Sequence, residues 1–118
     1  MSASDLKDAL RDASEVRLTV TGRKSGNEST RPIWFVEEED RVLLMPVGGR
    51  TANWYRNVVQ TPEVRLAADG AELRATASPV EDASVVEDTI EKFSAKYGAD
   101  QVKEYYPNQD AAVEVPLS

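Results

Sequence analysis

The chain contains neither cysteine nor histidine among its 118 residues. Without cysteine there is no disulfide framework, no thiolate nucleophile and no cysteine-ligated zinc or iron–sulfur centre. Without histidine, serine–histidine–aspartate chemistry is excluded, and with it nearly every transition-metal catalytic site, because imidazole is the usual base and ligand near neutral pH. An enzyme with this inventory works through carboxylates, tyrosine, lysine, arginine, or a cofactor that brings its own reactivity. No metal site is expected. Positive charge is also scarce: 14 Lys and Arg against 21 Asp and Glu leave a net charge of −7. That balance argues against a nucleic-acid partner, which needs a positive field over most of a face. There is no run of eighteen apolar residues, and the opening MSASDLKDALRDAS has acids where a signal peptide carries a basic then an apolar stretch. No transmembrane segment and a cytoplasmic location are therefore expected.

What is present fits one domain over residues 1–118. Leu6, Ala9, Leu10 and Ala13 recur at helical spacing behind Ser4, a candidate N-cap, and predict a short amphipathic helix over Asp5–Ala13. From Glu15 the period becomes two, with Val16, Leu18 and Val20 alternating with Arg17, Thr19 and Thr21 in a strand that stops at Gly22. An extended run, Thr30–Val36, carries Pro32 early, which favours an edge strand. The acidic EEED of Glu37–Asp40 reads as a solvated hairpin loop, because like charges repel unless water screens them. A strand over Arg41–Val47 breaks at Gly48 and Gly49, and Thr51 or Asn53 caps a helix reaching Gln60. Glu63–Ala68 and Glu72–Val80 form a hairpin around Asp69-Gly70, a dipeptide suited to positive φ. A helix over Ala83–Tyr97 stops at Gly98, a shorter one runs Asp100–Tyr106, and a last strand spans Ala112–Leu117. Six strands joined mainly by hairpins, with four helices, give an α+β fold. Closing the six-stranded antiparallel sheet into a small barrel removes its exposed edges.

Charge is distributed unevenly along this scaffold. Between Val16 and Trp34 stand Arg17, Arg23, Lys24 and Arg31 against one acid, Glu28, and from Pro46 to Val58 stand Arg50 and Arg56 with no acid at all. Both islands sit at strand ends beside glycines that let backbone approach a ligand, and the second includes a helix start, whose free N–H groups favour an anion. Trp34 and Phe35 follow the first island, and Trp54 and Tyr55 the second. Flat rings beside cationic loops suit a planar anionic cofactor. The alternative reading is that the cations are solvated or pair with the abundant acids, and that one ring of each pair simply packs the core. GRKSG lacks the spacing of a phosphate-binding P-loop, so nucleotide hydrolysis is not indicated.

TGRKSG, then RPIWF, then GG followed by NWYRN and TPEVRL, resembles the deazaflavin-dependent nitroreductase family of split-barrel proteins, relatives of the flavin-binding pyridoxamine-phosphate-oxidase-like barrels. The resemblance implies a six-stranded split β-barrel with flanking short helices, usually dimeric. It implies binding of F-420, the 8-hydroxy-5-deazaflavin coenzyme, and hydride transfer to a quinone or nitro compound as the small-molecule acceptor. It places Arg23 and Lys24 at the anionic tail, with Arg31 in the same cationic island, and Pro32, Ile33 and Trp34 along the ring. It also places Met45, Pro46 and Val47 at a strand end near the ring or its phosphate, and Trp54 and Asn57 on a helix that closes the site. FMN in the same barrel is the alternative cofactor, and a non-catalytic carrier the alternative role. The protein's task would be placement, with no covalent catalyst assigned and Tyr55 or Tyr97 as candidate proton donors. Ser29 stands where better-studied members carry a base, and the Gly48–Asn53 loop is shorter than theirs, so the grip on the tail is expected to differ.

Overall fold

A computed structural model describes residues 3–11, 13–38, 40–106 and 109–117. Eight strands form two four-stranded antiparallel sheets. In chain order the elements are α1 (Ala3–Arg11), β1 (Val16–Thr21), β2 (Glu28–Ile33), β3 (Phe35–Glu38), β4 (Arg41–Leu44), a 3₁₀ turn (Gly49–Thr51) and α2 (Asn53–Gln60). Then follow β5 (Glu63–Ala68), β6 (Ala71–Thr76), β7 (Ser78–Val80), α3 (Ala83–Tyr97), α4 (Ala99–Tyr105) and β8 (Ala112–Pro116). The first sheet has the order β2-β1-β5-β6 and the second β3-β4-β8-β7. Among the described residues no helix is long and apolar enough to cross a membrane.

The strand count departs from the sequence reading for one physical reason. Two of the six extended segments each divide, at Trp34 between β2 and β3 and at Ala77 between β6 and β7, and each passes from the edge of one sheet to the edge of the other. Ile33 and Phe35 on either side of the first bend are both buried in the same core. The segment thus keeps its inward face while exchanging ladder partners, as strands do at the corners of packed sheets. The expected single barrel is accordingly described by its hydrogen bonding as two sheets; among the described strands no ladder joins them.

Between the sheets lies the main core, where Val16, Leu18, Val42, Leu44, Leu66 and Val115 meet Leu6 and Leu10 of α1 and Trp54 and Val58 of α2. Alternation along β4 sends Leu43 to the opposite face, and Met45 follows it just beyond the strand end. There α3 and α4 cover them through Val86, Phe93, Val102 and Tyr106. Pro32 lies on β2, a sheet edge, where a missing N–H costs no ladder bond. Asp69 and Gly70 both take positive φ, 48° and 83°, in the two-residue β5–β6 turn, the backbone that matches strand twist. α1 begins at Ala3, so Ser4 falls inside the helix rather than at its cap. The acidic EEED is not a free loop: Glu37 and Glu38 belong to β3, and Glu38 pairs with Lys92 at 2.6 Å and Arg41 at 3.6 Å. Its third residue, Glu39, lies outside the described residues.

The bend at Trp34 is locked from α3. The Phe35 N–H donates to the Tyr97 hydroxyl at 3.0 Å, and that hydroxyl lies 2.9 Å from the carbonyl oxygens of both Ser14 and Phe35. Lys96 Nζ donates to the same Phe35 carbonyl at 2.9 Å and sits over the Phe35 ring. Burial lowers the pKa of this amine. Replacing Tyr97 with Phe strands the buried Phe35 N–H, at a cost of about 1–3 kcal/mol, and lowers Tm by roughly 4–12 °C in thermal unfolding followed by circular dichroism. An unchanged Tm would show that the clamp is dispensable.

α3 starts on a charged cap. The Asp82 carboxylate accepts from the N–H groups of Ser84 and Val85 at 3.0 and 3.3 Å and from the Ser84 hydroxyl at 2.6 Å. The Ser84 hydroxyl, then these backbone donors, hold its pKa below the ordinary 3.8. A depressed carboxylate pKa contributes stability above the unfolded-state value that is lost as pH falls through the folded value. The stability gap between the wild-type chain and Asp82→Ala is therefore full at neutral pH and narrows on acidification below about pH 4. Urea unfolding over a pH series checks this, and a pH-independent gap would exclude the carboxylate's charge as the cause.

Candidate functional site

The GRKSG turn closes β1 onto β2. Gly22 N–H bonds the Asn27 carbonyl at 2.8 Å, Gly26 N–H bonds the Gly22 carbonyl at 2.9 Å, and Gly26 adopts φ +74°, a value that favours glycine. Arg23 ties this turn to α2: its backbone N–H and Nη1 reach Asn57 Oδ1 at 3.1 and 2.7 Å, and Nη1 reaches the Asn53 carbonyl at 3.4 Å. All of these acceptors are neutral, so none of them offsets the guanidinium's charge. Lys24 is exposed and, among the described residues, has no ion pair or hydrogen bond.

Beside the turn runs a groove of about 240 Å³ lined by Arg31, Pro32, Ile33, Val47, Gly48, Ala52, Asn53, Trp54 and Tyr105. β2 supplies one wall just before its bend, and the segment leading into α2 supplies the other. α2 opens at Ala52 with no side-chain cap, because the Thr51 hydroxyl instead donates to the Gly48 carbonyl at 2.8 Å and Asn53 is already helical. The expected caps at Thr51 and Asn53 are thus absent. Among the described residues the first-turn N–H groups have no side-chain cap, and the neighbouring Arg31 has no carboxylate partner. Uncapped helix starts carry partial positive charge and attract anions.

Of the sequence-derived candidates, Arg31, Pro32, Ile33, Val47 and Trp54 line the groove. Arg23 and Asn57 are bonded to each other at its edge through α2. Lys24 stays exposed on the turn, and three further candidates lie elsewhere. Trp34 stacks on Tyr97 at 4.2 Å with an 8° interplanar angle and leans on Tyr105 at 4.4 Å, so its ring belongs to the layer beneath α3 and α4. Met45 is fully buried in that layer, and Pro46 is buried beside it. Trp34 sits at the bend after β2, and Met45 shares with Leu43 the face of β4 that α3 and α4 cover.

The tyrosines also redistribute. Tyr55 is buried and donates to Glu81 at 3.0 Å, and burial, then that bond, raises its pKa. Tyr97 is committed to the Phe35 clamp, and burial raises its pKa. Neither reaches the groove as a proton donor. Tyr105, which spacing alone did not single out, lines the groove and is 43% exposed. Gly48, Ala52 and Asn53 are further wall residues; the helix start in the sequence was the signal for them. The second basic island also divides. Arg56 has no acid partner among the described residues, whereas Arg50 pairs with Glu81 and Asp110 at 3.4 and 3.3 Å.

A larger depression, about 410 Å³, lies on the outer face of the first sheet among Thr19, Thr21, Glu28, Glu63, Arg65 and Arg74. Its Arg65 is already paired with Glu28 and Glu72, and it presents no aromatic surface. The smaller groove, with apolar and aromatic walls and an Arg31 that has no acid partner among the described residues, is the better candidate for a flat anionic ligand.

Fold and groove together define a small α+β domain with a cation-rimmed, aromatic-walled surface cleft. Residues 3–115 match the family described as F-420H(2)-dependent quinone reductase, and the chain belongs to that family. Its cofactor is F-420, and it is a deazaflavin-dependent oxidoreductase by family. No curated protein matches the sequence. Among solved structures, the chain is similar to an F-420-H2-dependent reductase, FDR-A, at 23% identity and TM-score 0.68, covering 86% of this chain and 93% of that one. It is similar to a 5-nitroimidazole antibiotic resistance protein from Bacteroides thetaiotaomicron at 15% identity and TM-score 0.75, covering 98% and 79%. It is also similar to HutZ, the haem storage protein from Vibrio cholerae, at 16% identity and TM-score 0.73, covering 100% and 92%. At such identities the likeness is one of fold.

The groove's residues fit F-420 in part. Its apolar wall suits a flat ring, and Arg31 with the uncapped helix start suits an anionic group. At about 240 Å³, however, it is below the roughly 300–1,000 Å³ of pockets that enclose a ligand. A nucleotide-sized cofactor would leave part of itself over the surface, toward Arg23 and Lys24. Nitration under mild conditions, mapped by peptide mass spectrometry, is expected at Tyr105 before Tyr55, Tyr97 and Tyr106. Equal labelling of Tyr55 or Tyr106 would contradict their burial.

Proposed function

We propose that the chain catalyses hydride transfer from reduced F-420 to a small organic acceptor, a quinone or a nitro compound, at the groove between β2 and the start of α2. The observation that supports this most is the meeting, in a member of this family, of an apolar wall (Pro32, Ile33, Val47, Trp54) with an unpaired Arg31 and an uncapped helix N-terminus. When bound in its reduced form, F-420 supplies the hydride. The chain's own residues bind and orient. Arg31 and the N–H groups of Asn53 and Trp54 hold negative charge at one end, and Arg23 and Lys24 hold it along the GRKSG turn. Asn57 fixes the turn through Arg23, while Trp34, Met45 and Pro46 support the walls from behind.

Acceleration then comes from geometry. The acceptor must lie within about 3–3.5 Å of the hydride-bearing carbon, and a rigid wall is what holds two flat partners at that spacing. Tyr105, which lines the groove and is partly exposed, is our candidate to donate a hydrogen bond to an acceptor oxygen as charge develops there. Because the groove is shallow, we read the two sheets as the halves of a split barrel and expect a homodimer in solution, which sedimentation at several concentrations tests.

Titration of the chain with F-420 and separately with FMN, followed by cofactor fluorescence, tests the reading. Saturable F-420 binding is expected, weakened by roughly ten-fold in Lys24→Glu and at least as much in Arg31→Glu, with turnover when a quinone is added. Tighter FMN binding would replace the cofactor, binding without turnover on any acceptor would make the chain a carrier, and binding of neither would reduce the cationic turn to a solvated loop.

A further inference from the structure

Arg50 sits in the turn beside a groove wall yet does not line the groove. It lies in the 3₁₀ turn between Val47–Gly48 and Ala52–Asn53, the residues that build one groove wall. Its guanidinium turns the other way, into a separate hollow of about 320 Å³ shared with Glu81, Glu87 and Asp110. There Nη1 meets Glu81 at 3.4 Å and Nε meets Asp110 at 3.3 Å, and the backbone N–H of Arg50 donates to the other Asp110 oxygen at 2.9 Å. Glu81 is held in turn by the hydroxyl of the buried Tyr55 on α2. Asp110 lies on the chain between α4, which carries the groove residue Tyr105, and β8. One side chain therefore connects the loop wall to the segment that follows the tyrosine wall.

We propose that Arg50, Asp110 and Glu81 form an electrostatic clip that fixes the Val47–Asn53 wall and so sets the gape of the groove, which makes Arg50 a positioning residue and not an anion ligand. The coupling to cofactor rests on the reading that F-420 occupies this groove. The two acids hold Arg50 by three contacts, two of them from Asp110 and one of those to backbone, so loss of Asp110 releases the turn as well as the side chain. Exposed ion pairs contribute little to global stability, so the clip acts on local geometry, leaving the unfolding midpoint nearly unchanged.

The clip and direct anion binding predict opposite signs for one variant. Removing the carboxylate of Asp110 takes a negative charge away from the neighbourhood of an anionic cofactor and frees Arg50, so direct binding predicts equal or tighter F-420 affinity. A clip predicts weaker affinity. Hydrogen exchange of the cofactor-free chain and F-420 titration, each on Arg50→Met, Asp110→Ala and the double variant, make the test. Faster exchange confined to 47–53 and an affinity loss of about three- to ten-fold in each single variant are expected, with the double variant no worse than either and partial recovery in Arg50→Lys. Unchanged exchange in 47–53, additive losses, or tighter binding in Asp110→Ala would overturn the clip. Failure of the unmodified chain to bind F-420 would overturn the groove reading instead, and exchange would still decide the clip.

Discussion

The bend at Trp34 is the constraint on which the rest of the molecule depends. A strand that must leave one sheet and join another cannot satisfy its backbone groups by ladder pairing alone at the corner, and an unsatisfied buried N–H costs as much as several good contacts gain. Here the corner is held from outside the sheets. Tyr97 and Lys96 of α3 bond Phe35 just after the bend, and the Trp34 ring is stacked flat on Tyr97. Ile33 and Phe35 can then both face the main core, which sets the direction of β2 as it leaves the sheet. The groove lies along those last residues of β2, Arg31 to Ile33. Position of the wall and stability of the corner are therefore one problem, solved by helices that never touch the groove's ligand side except through Tyr105.

Electrostatics divides the cations into two groups that the sequence does not label. The chain carries a large acidic excess, and Glu28, Glu38, Glu81, Asp110 and Glu114 all take arginine or lysine partners. Among the described residues Arg23, Lys24 and Arg31 escape that pairing, as does Arg56. An arginine with neutral acceptors keeps its attraction for an anion, whereas one between two carboxylates has already been used, since a third charge must compete with short existing contacts. That difference, together with the apolar and aromatic walls beside Arg31, favours the groove as the candidate site.

Much of the architecture was legible locally. The Asp69-Gly70 turn, the helix over Ala83–Tyr97 and the alternation from Val16 to Thr21 were read from turn chemistry and periodicity, and the structure has them with those bounds. The corners at Trp34 and Ala77 were not legible, because a strand that changes sheets keeps the same alternation through the bend. The EEED segment misled because charge repulsion is cancelled by Lys92, a residue far along the chain. Trp34 misled in a similar way: an aromatic next to basic residues suits a ligand, but its partners Tyr97 and Tyr105 arrive from helices at the other end of the sequence.

What the sequence determined by itself was the chemical inventory and the local grammar. The absence of cysteine and histidine left a cofactor as the main source of reactivity, and glycines and prolines placed the turns, because both effects act within a few residues. What only the tertiary structure decided was which side chains meet. Arg50 was paired across separations of 31 and 60 residues with Glu81 and Asp110, Tyr105 was brought to the groove in place of Tyr97, and the first turn of α2 was left uncapped beside Arg31. Contacts over such distances depend on how two sheets and four helices pack around shared cores, and no local pattern carries that information.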